Sequence, residues 1–221
     1  MSLEYPIQNT SDKDIDETGA WLSIGDLMSG LLMIFALLLV VTLLQLTEQL
    51  EKTEKSRVVV IHSLKKALDA KGINAEVNDK TGDISILDSV LFDTNSSELK
   101  PEGKHFLDEF LPLYAKVLLD DNGIADQITF LIIEGHTSSS GSWGHNMNLS
   151  MARAGAVYDV VDHMNFPRKK EMLNKLMVAG RGKASANQRQ EDSKDRKVVF
   201  RIQFRGDEFS EWFLDKRPGA N

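Results

Sequence analysis

From Leu27 to Leu44 the chain reads LMSGLLMIFALLLVVTLL, a run with no charge and only two polar side chains, Ser29 and Thr42. Few folds accept such a segment. With its flanks it extends over residues 21–46, enough for the roughly 20 residues, at about 1.5 Å each, that cross a hydrocarbon layer. The sequence therefore predicts a transmembrane helix over 21–46, with Trp21 at an interface. A cleaved secretory signal would need a basic segment ahead of the run and a small-residue cleavage site, whereas Asp12, Asp14, Asp16 and Glu17 precede this one.

The remaining length, in a chain of 221 residues, suffices for one ordinary domain with appendages. A net charge of -7 and the lack of a long Lys/Arg run argue against nucleic acid as a partner. With no cysteine, disulfide frameworks, thiolate metal sites and cysteine nucleophiles are excluded, and nothing follows about compartment.

Residues 1–20 form an acidic tail. Residues 47–72 contain neither Pro nor Gly before Gly72 and carry Leu46, Leu50, Val58, Ile61, Leu64 and Leu68 among charges, which reads as a helical stalk. Its apolar spacing mixes threes, fours and an eight, as in a loosely paired helix. From residue 73 to 206 the pattern turns to strands and helices. Asn78–Gly82 is a turn before the alternating Ile84-Ser85-Ile86. Pro101 opens a helix with Phe106, Phe110, Leu113, Tyr114 and Val117 on one face, in which Pro112 should make a kink. Ile128–Ile133 reads as a central strand, and a second helix presents Leu149, Ala152, Ala156, Val160, Val161 and Met164 inward. Lys197–Arg205 alternates as a closing strand. The order β, β, α, β, α, β implies an α+β fold with helices packed on one mixed sheet. Residues 207–221 form a polar tail.

Asp26 stands at the head of the apolar run, where a carboxylate costs about 2.5 to 3.5 kcal/mol if it lies at the bilayer centre and less near an interface. On the residues alone two accounts stand. Asp26 is interfacial, hydrogen-bonded near the helix start, or it faces partner helices and takes a proton from one side to release it to the other. Gly25 and Ser29, four apart, with Gly30 beside them, would let helices approach closely. The positive-inside rule, applied to Lys13 against Lys52, Lys55, Arg57, Lys65 and Lys66, would put the C-terminal part in the cytoplasm.

Two resemblances bear on these choices. The stretch Gly25-Asp26-Leu27-Met28-Ser29-Gly30, with Trp21 before and Phe35 after, is similar to the transmembrane segment of MotB-type stator subunits, and more generally to ExbD and TolR proteins. That resemblance implies that Asp26 relays the driving ion and that this chain is a single-pass bacterial inner-membrane protein. Its N-terminus would then be cytoplasmic and its C-terminal domain periplasmic, which takes precedence over the basic-residue count. A lone carboxylate with few polar neighbours leans towards H+ over Na+, and no other cofactor is expected. The implied partner is a MotA-like membrane channel subunit, five of them around a homodimer of this chain.

The second resemblance covers roughly Leu87 to Phe204. Val90-Leu91-Phe92-Asp93 with Leu99 and Pro101, Ile133-Glu134-Gly135-His136-Thr137, Asn146 with Leu149-Ser150 and Arg153-Ala154, Val178 to Gly182, and Asp195 to Val198 together resemble the OmpA-like peptidoglycan-binding domain. By that resemblance Arg153 holds the carboxylate of the wall peptide's diaminopimelate, with Asn146, Leu149 and Thr137 shaping the same cleft. The family usually reads Gly-His-Thr-Asp, the aspartate pairing with the diaminopimelate ammonium. Here Ser138 stands in its place, and that charge-assisted bond is lost.

In length and layout the whole chain is similar to the MotB-like membrane subunits of Zorya anti-phage defence systems, which implies an ion-driven motor anchored to peptidoglycan. A flagellar stator subunit and a plain wall anchor without ion relay are the alternatives. The acidic start and the lack of proline between Ile7 and Glu98 set the chain apart from flagellar stators. His136 reads as structural, while His62, His105, His145 and His163 have no metal-ligand spacing. Gly182-Lys183-Ala184 lacks the features of a phosphate-binding loop, and nothing points to an enzyme.

Overall fold

The computed structural model of the chain describes residues 17–120 and 123–207. The tails read at 1–20 and 207–221 lie almost wholly outside the described residues. The chain divides into two compact units, residues 1–49 and 50–221, and helix α1 (Glu17–Lys71) contributes to both.

In the first unit every described side chain from Trp21 to Gln49 is exposed. The helix is long and apolar enough to cross a membrane by length and composition. Its hydroxyls fold back on their own backbone: Thr42 Oγ1 donates to the Leu38 carbonyl at 2.8 Å, and Thr47 Oγ1 reaches the Leu43 and Leu44 carbonyls at 3.1 and 2.9 Å. Such internal satisfaction is what an apolar solvent demands of polar groups.

In the second unit five strands form one mixed sheet in the order β1-β2-β5-β3-β4. They are β1 (Glu76–Val77), β2 (Ile84–Leu87), β3 (Ile128–His136), β4 (Leu176–Gly182) and β5 (Lys197–Phe204). β3 and β4 pair in parallel and the other neighbours antiparallel. Between them run α2 (Asp88–Leu91), α3 (Pro101–Leu119), α4 (Trp143–His163) and α5 (Lys169–Lys175). The α+β class read from the sequence is the class observed. One strand goes beyond the expected order: β4 with α5 before it completes a parallel crossover from β3. β4 is an edge strand with Met177 and Val178 exposed and glycines at 180 and 182, so it lacks the alternation that marks a half-buried strand.

The helices cover the face presented by Ile84, Ile86, Leu131, Ile133, Val198, Phe200, Ile202 and Phe204. Phe110 and Tyr114 of α3 meet the Phe200 ring edge-on at 4.9 and 5.5 Å. α3 runs unbroken through Pro112, and its deepest face is Leu107, Phe110, Leu111, Tyr114, Ala115, Leu118 and Leu119. Phe106, Leu113 and Val117, expected on that face, are partly buried at its flank.

Residues 47–72, read as a stalk, are helical to Lys71, but the later turns are not free of the domain. Val60, Leu64 and Leu68 are core residues. Val58 is exposed and Val60 buried, so the inward line is Thr53, Arg57, Val60, Leu64 and Leu68, spaced four, three, four and four. Thr53 Oγ1 donates to the Arg205 carbonyl at 3.3 Å, and the Arg57 guanidinium lies 4.9 Å over the Phe204 ring and pairs with Asp207.

This packing makes a direct prediction for full-length protein in detergent. Leu64→Ala should lower stability by about 2–5 kcal/mol, while Val58→Ala should stay within about 0.5 kcal/mol. Urea unfolding of the two variants measures the difference, and equal small effects would return the segment to a free stalk.

Candidate functional site

Helix α4 places the polar residues of the C-terminal unit, and two strand glycines set its height. A Cβ on Gly135 of β3 would lie 2.1 Å from the Ser150 carbonyl oxygen, and one on Gly180 of β4 would lie 2.9 Å from the Met151 nitrogen. Only glycine admits that approach. Ser150, fully buried, accepts from the Gly182 N–H at 2.9 Å through Oγ, which donates to the Met147 carbonyl at 2.9 Å.

The first turns of α4 therefore point polar side chains at the sheet. Asn146, Ser150, Arg153, Ala154, Val157 and Val161 are the buried positions. Of the residues expected inward, only Val161 is fully buried; Leu149, Ala156, Val160 and Met164 are half-buried and Ala152 is exposed. The helix starts at Ser142, whose Oγ accepts from the His145 N–H at 3.2 Å. Asn146 Nδ2 donates to the Ser140 and Ser142 carbonyls at 2.6 and 3.0 Å, pinning the loop that joins β3 to α4.

Arg153 is 1% exposed. Its Nε donates to the Ser96 carbonyl at 2.8 Å and Nη2 to the Asp93 carbonyl at 3.4 Å, so the turn after α2 wraps the guanidinium. Nη2 also lies 3.1 Å from Asp88 Oδ2, and the Phe92 ring sits 5.3 Å from the charge. The turn holds its shape through Asn95, whose φ is 60° and whose Oδ1 lies 2.7 Å from His145 Nε2. Burial pushes the Asp88 carboxyl above its ordinary range, opposed by the charges of Arg153, Arg196 and Lys100. Among the described residues, Arg153 Nη1, Asp88 Oδ1 and Thr137 Oγ1 are buried without a hydrogen-bond partner.

Sequence reasoning missed three members of this site. Arg196 Nε lies 4.0 Å from Asp88 Oδ2, and its Nη1 lies 3.2 Å from Glu191 Oε1. Glu191 in turn accepts from Ser138 Oγ at 3.1 Å and Ser140 Oγ at 2.7 Å. Those two hydroxyls, with Arg196, hold the Glu191 carboxyl below its usual range. Only Arg196 stood within a quoted motif; Asp88 and Glu191 meet it across gaps of more than 100 residues and of five residues, which no local spacing reveals. A cavity of about 200 Å³ beside the cluster is lined by Asp88, Phe92, Asp93, Thr94, Lys100 and Arg196.

Arg153, Asn146 and Thr137 are each buried, Thr137 just after β3, Asn146 in the first turn of α4 and Arg153 midway along that helix, with Leu149 half-buried between the latter two. Asp26, Gly25, Ser29 and Gly30 lie in the other unit. Each is exposed on α1, and a Cβ at Gly25 or Gly30 would meet nothing within 4 Å.

Residues 91–199 match the OmpA family. A Zorya protein ZorB from Escherichia coli is 30% identical over 206 residues, covering 82% of this chain and 86% of that protein. This chain belongs to the ZorB family. A second Zorya protein ZorB, from another Escherichia coli strain, is 28% identical, covering 94% of this chain and 87% of the relative. Among solved structures, a MotB-like protein from Desulfovibrio vulgaris superposes with a TM-score of 0.49 at 15% identity, covering 72% of this chain and 96% of that one. The cell wall anchor of the T6SS from Pseudomonas aeruginosa gives 0.45 at 18% identity, covering 67% and 99%. Within this ZorB-family chain the OmpA match takes in Asn146, Arg153 and Glu191 together.

The opposite face of the sheet is polar and structural. His136 Nδ1 lies 2.8 Å from Ser185 Oγ and its Nε2 lies 2.8 Å from Glu134 Oε1. Glu134 also faces Arg201 at 3.4 Å and Arg181 at 3.9 Å. Burial pushes the Glu134 carboxyl up, but His136, Arg201 and Arg181 outweigh it and hold the net value below the ordinary 4.5.

Two measurements follow. A folded-state pKa below the unfolded one adds stability that is complete above about 4.5 and lost as pH falls through the lowered value. Glu134→Gln should therefore flatten the acid limb of a stability–pH profile. Arg153→Ala should cost about 3–5 kcal/mol, because it leaves Asp88 a buried carboxylate without its guanidinium, and adding Asp88→Asn should recover part of the loss. Thermal unfolding checks both, and an Arg153→Ala protein as stable as the parent would contradict the buried pair.

Proposed function

We propose that this chain is the stator-like subunit of an ion-driven inner-membrane motor in anti-phage defence, relaying the ion through Asp26 and anchoring the assembly to peptidoglycan. The observation that carries the reading is one acidic residue set at the head of an apolar helix in a chain of the ZorB family. Asp26 is the sole charged residue between Glu17 and Glu48.

The physical argument concerns cost and purpose. An ionised carboxylate among lipid tails is expensive, so its place is against partner helices or a water-lined path. A surrounding MotA-like, ZorA-type channel subunit, five around a dimer of this chain, would provide both. Gly25 and Ser29, four apart, share one face of α1, and a Cβ at Gly25 would meet nothing within 4 Å among the described residues, which suits close approach of a partner helix. Each proton entering down a membrane potential supplies about 2.3 kcal/mol per 100 mV, enough to bias a two-state assembly. Protons fit a lone carboxylate better than sodium, which needs several oxygen ligands.

For torque to appear, one part of the motor must be fixed. In the C-terminal unit Arg153, buried midway along α4, has one donor, Nη1, without a protein acceptor among the described residues. A carboxylate of the wall peptide is the ligand that donor suits. In this reading the N-terminus is cytoplasmic and the C-terminal unit periplasmic, so the channel partner turns while this chain is held.

The test is phage plating on cells carrying the operon with Asp26→Asn, after the variant is shown to reach the membrane at parental level. Protection should fall to that of cells lacking the system. Full protection by the variant would discard the ion relay and leave a wall anchor.

A further inference from the structure

Strand β4 is an edge of the sheet: it pairs with β3 on one side, and no strand lies on the other among the described residues. An apolar stripe from α4 runs along it. Trp143, Met147 and Met151 are four residues apart, so they share one line on the helix, and Trp143 is 57% and Met151 51% exposed. The glycines of β4 bring that line down to the strand: a Cβ on Gly180 would lie 2.6 Å from Met151 Cγ, and one on Gly182 3.1 Å from the Met147 nitrogen. Val178, exposed two residues before Gly180, is on the same face of β4. Apolar side chains scattered singly over a surface need no explanation, but a contiguous stripe beside an open strand edge marks an interaction site.

The charge of this edge says what fits it. In a chain of net charge -7, residues 172–190 carry Lys175, Arg181, Lys183 and Arg189 and no Asp or Glu. Lys175 Nζ donates to the Ile128 carbonyl at 2.7 Å, and Lys183 Nζ to the Ser139 and Gly141 carbonyls at 3.2 and 2.7 Å, so neither has a carboxylate partner among the described residues. Lys183 Nζ also sits 5.3 Å from the centre of the Trp143 ring. Exposed Arg181 meets Glu134 at 3.9 Å, beyond hydrogen-bond distance. A second copy of β4 would bring no acid to these bases. Paired antiparallel about Ala179, it would set Lys175 against Lys183 and Arg181 against Met177, and bases on an edge strand are a device against such self-pairing.

We propose that the outer edge of β4 docks an extended acidic segment of another protein, which adds to the sheet as a sixth strand. Side chains of an added strand alternate between the two faces. On the helix side they meet Met147, Met151 and Val178, so those positions of the partner are apolar. On the other side they meet Arg181, which shares its face with Met177 and Ala179, so those positions are Asp or Glu. Unbranched methionines suit such a site, because they adapt to the side chains laid on them. The proposal is independent of wall binding: it concerns a different edge of the unit and a different kind of partner.

The experiment is fluorescence anisotropy of full-length protein in detergent with fluorescein-labelled peptides of about eight residues, the length of a strand. One alternates Glu with Val, another Lys with Val, and a third Glu with Ser. The Glu–Val peptide should bind saturably and roughly ten-fold more tightly than either of the others. Arg181→Gln should weaken it about three-fold and reduce its salt dependence. Met147→Ser with Met151→Ser should weaken it about ten-fold and keep the salt dependence. These side chains are exposed, so thermal unfolding of the variants should match the parent. If the Glu–Val peptide does not bind, if the Lys–Val peptide binds as well, or if the double serine variant binds like the parent, the proposal is overturned. The chain has no cysteine, so Val178→Cys adds a single thiol; a short bismaleimide that joins two such copies through it would put a second copy at this edge and overturn the proposal too.

Discussion

The contact between α4 and the glycines of β3 and β4 fixes the geometry of the C-terminal unit. The Ser150 carbonyl lies where a side chain on Gly135 would begin, and the Met151 nitrogen lies 2.9 Å from where one on Gly180 would begin. The buried face of α4 near the sheet end is Asn146, Ser150 and Arg153, and it becomes apolar from Ala154 onward. The glycines thus do two things at once. They permit close packing, and they bring Ser150 Oγ within reach of the Gly182 N–H at 2.9 Å. Asn146 sits one turn before Ser150 and Arg153 one turn after it, so their places follow from the seat of the helix and owe nothing to the loops.

Burying a guanidinium in that position has to be offset. Asp88, the Asp93 and Ser96 carbonyls and the Phe92 ring each contribute, and all come from a short stretch pinned by Gly103 of α3, where an added Cβ would meet Leu91 Cα at 2.7 Å. A well-packed apolar pair of the same volume would serve stability as well or better than a buried ion pair. The orphaned Nη1 and Oδ1 make the pair worse still as a stabilising device. What the arrangement does supply is a row of fixed charges leading from Arg153 through Asp88 and Arg196 to the exposed Glu191. Preorganised charge of that kind suits recognition, since its ordering is complete before any ligand arrives.

How far the sequence reveals this differs from element to element. The apolar run at 27–44 is legible because lipid imposes a composition, not a pattern. The sheet core is legible where alternation is clean, as in β2 and β5. The inward face of α1 is misread because Val58, Val59 and Val60 are interchangeable by composition, and only the packed structure selects Val60. The inward face of α4 is misread for the opposite reason: its buried positions are polar, so a search for apolar periodicity slides onto the flank. β4 escapes notice because edge exposure and two glycines erase its period. Arg153, Asn146 and Thr137 came from a family pattern, and their burial could not be read there; Glu191 lies in a polar loop with nothing local to mark it, since its serine partners are 51 and 53 residues away.

Each unit, described by itself, leaves polar groups that the described residues do not satisfy. In the first, Asp26 stands exposed on a helix whose other polar side chains at Thr42 and Thr47 have turned inward to their own carbonyls. In the second, Arg153 and Thr137 hold buried atoms without partners among the described residues. Chains that fold only for stability leave few such groups, because each costs about 1–3 kcal/mol. In the proposed function the two places have separate partners: helices that shelter the Asp26 carboxylate in lipid, and a charged group of the wall that meets the Arg153 guanidinium. In that function Asp26 passes the ion and Arg153 holds the wall, so the cost of each polar group is offset by a partner of its own.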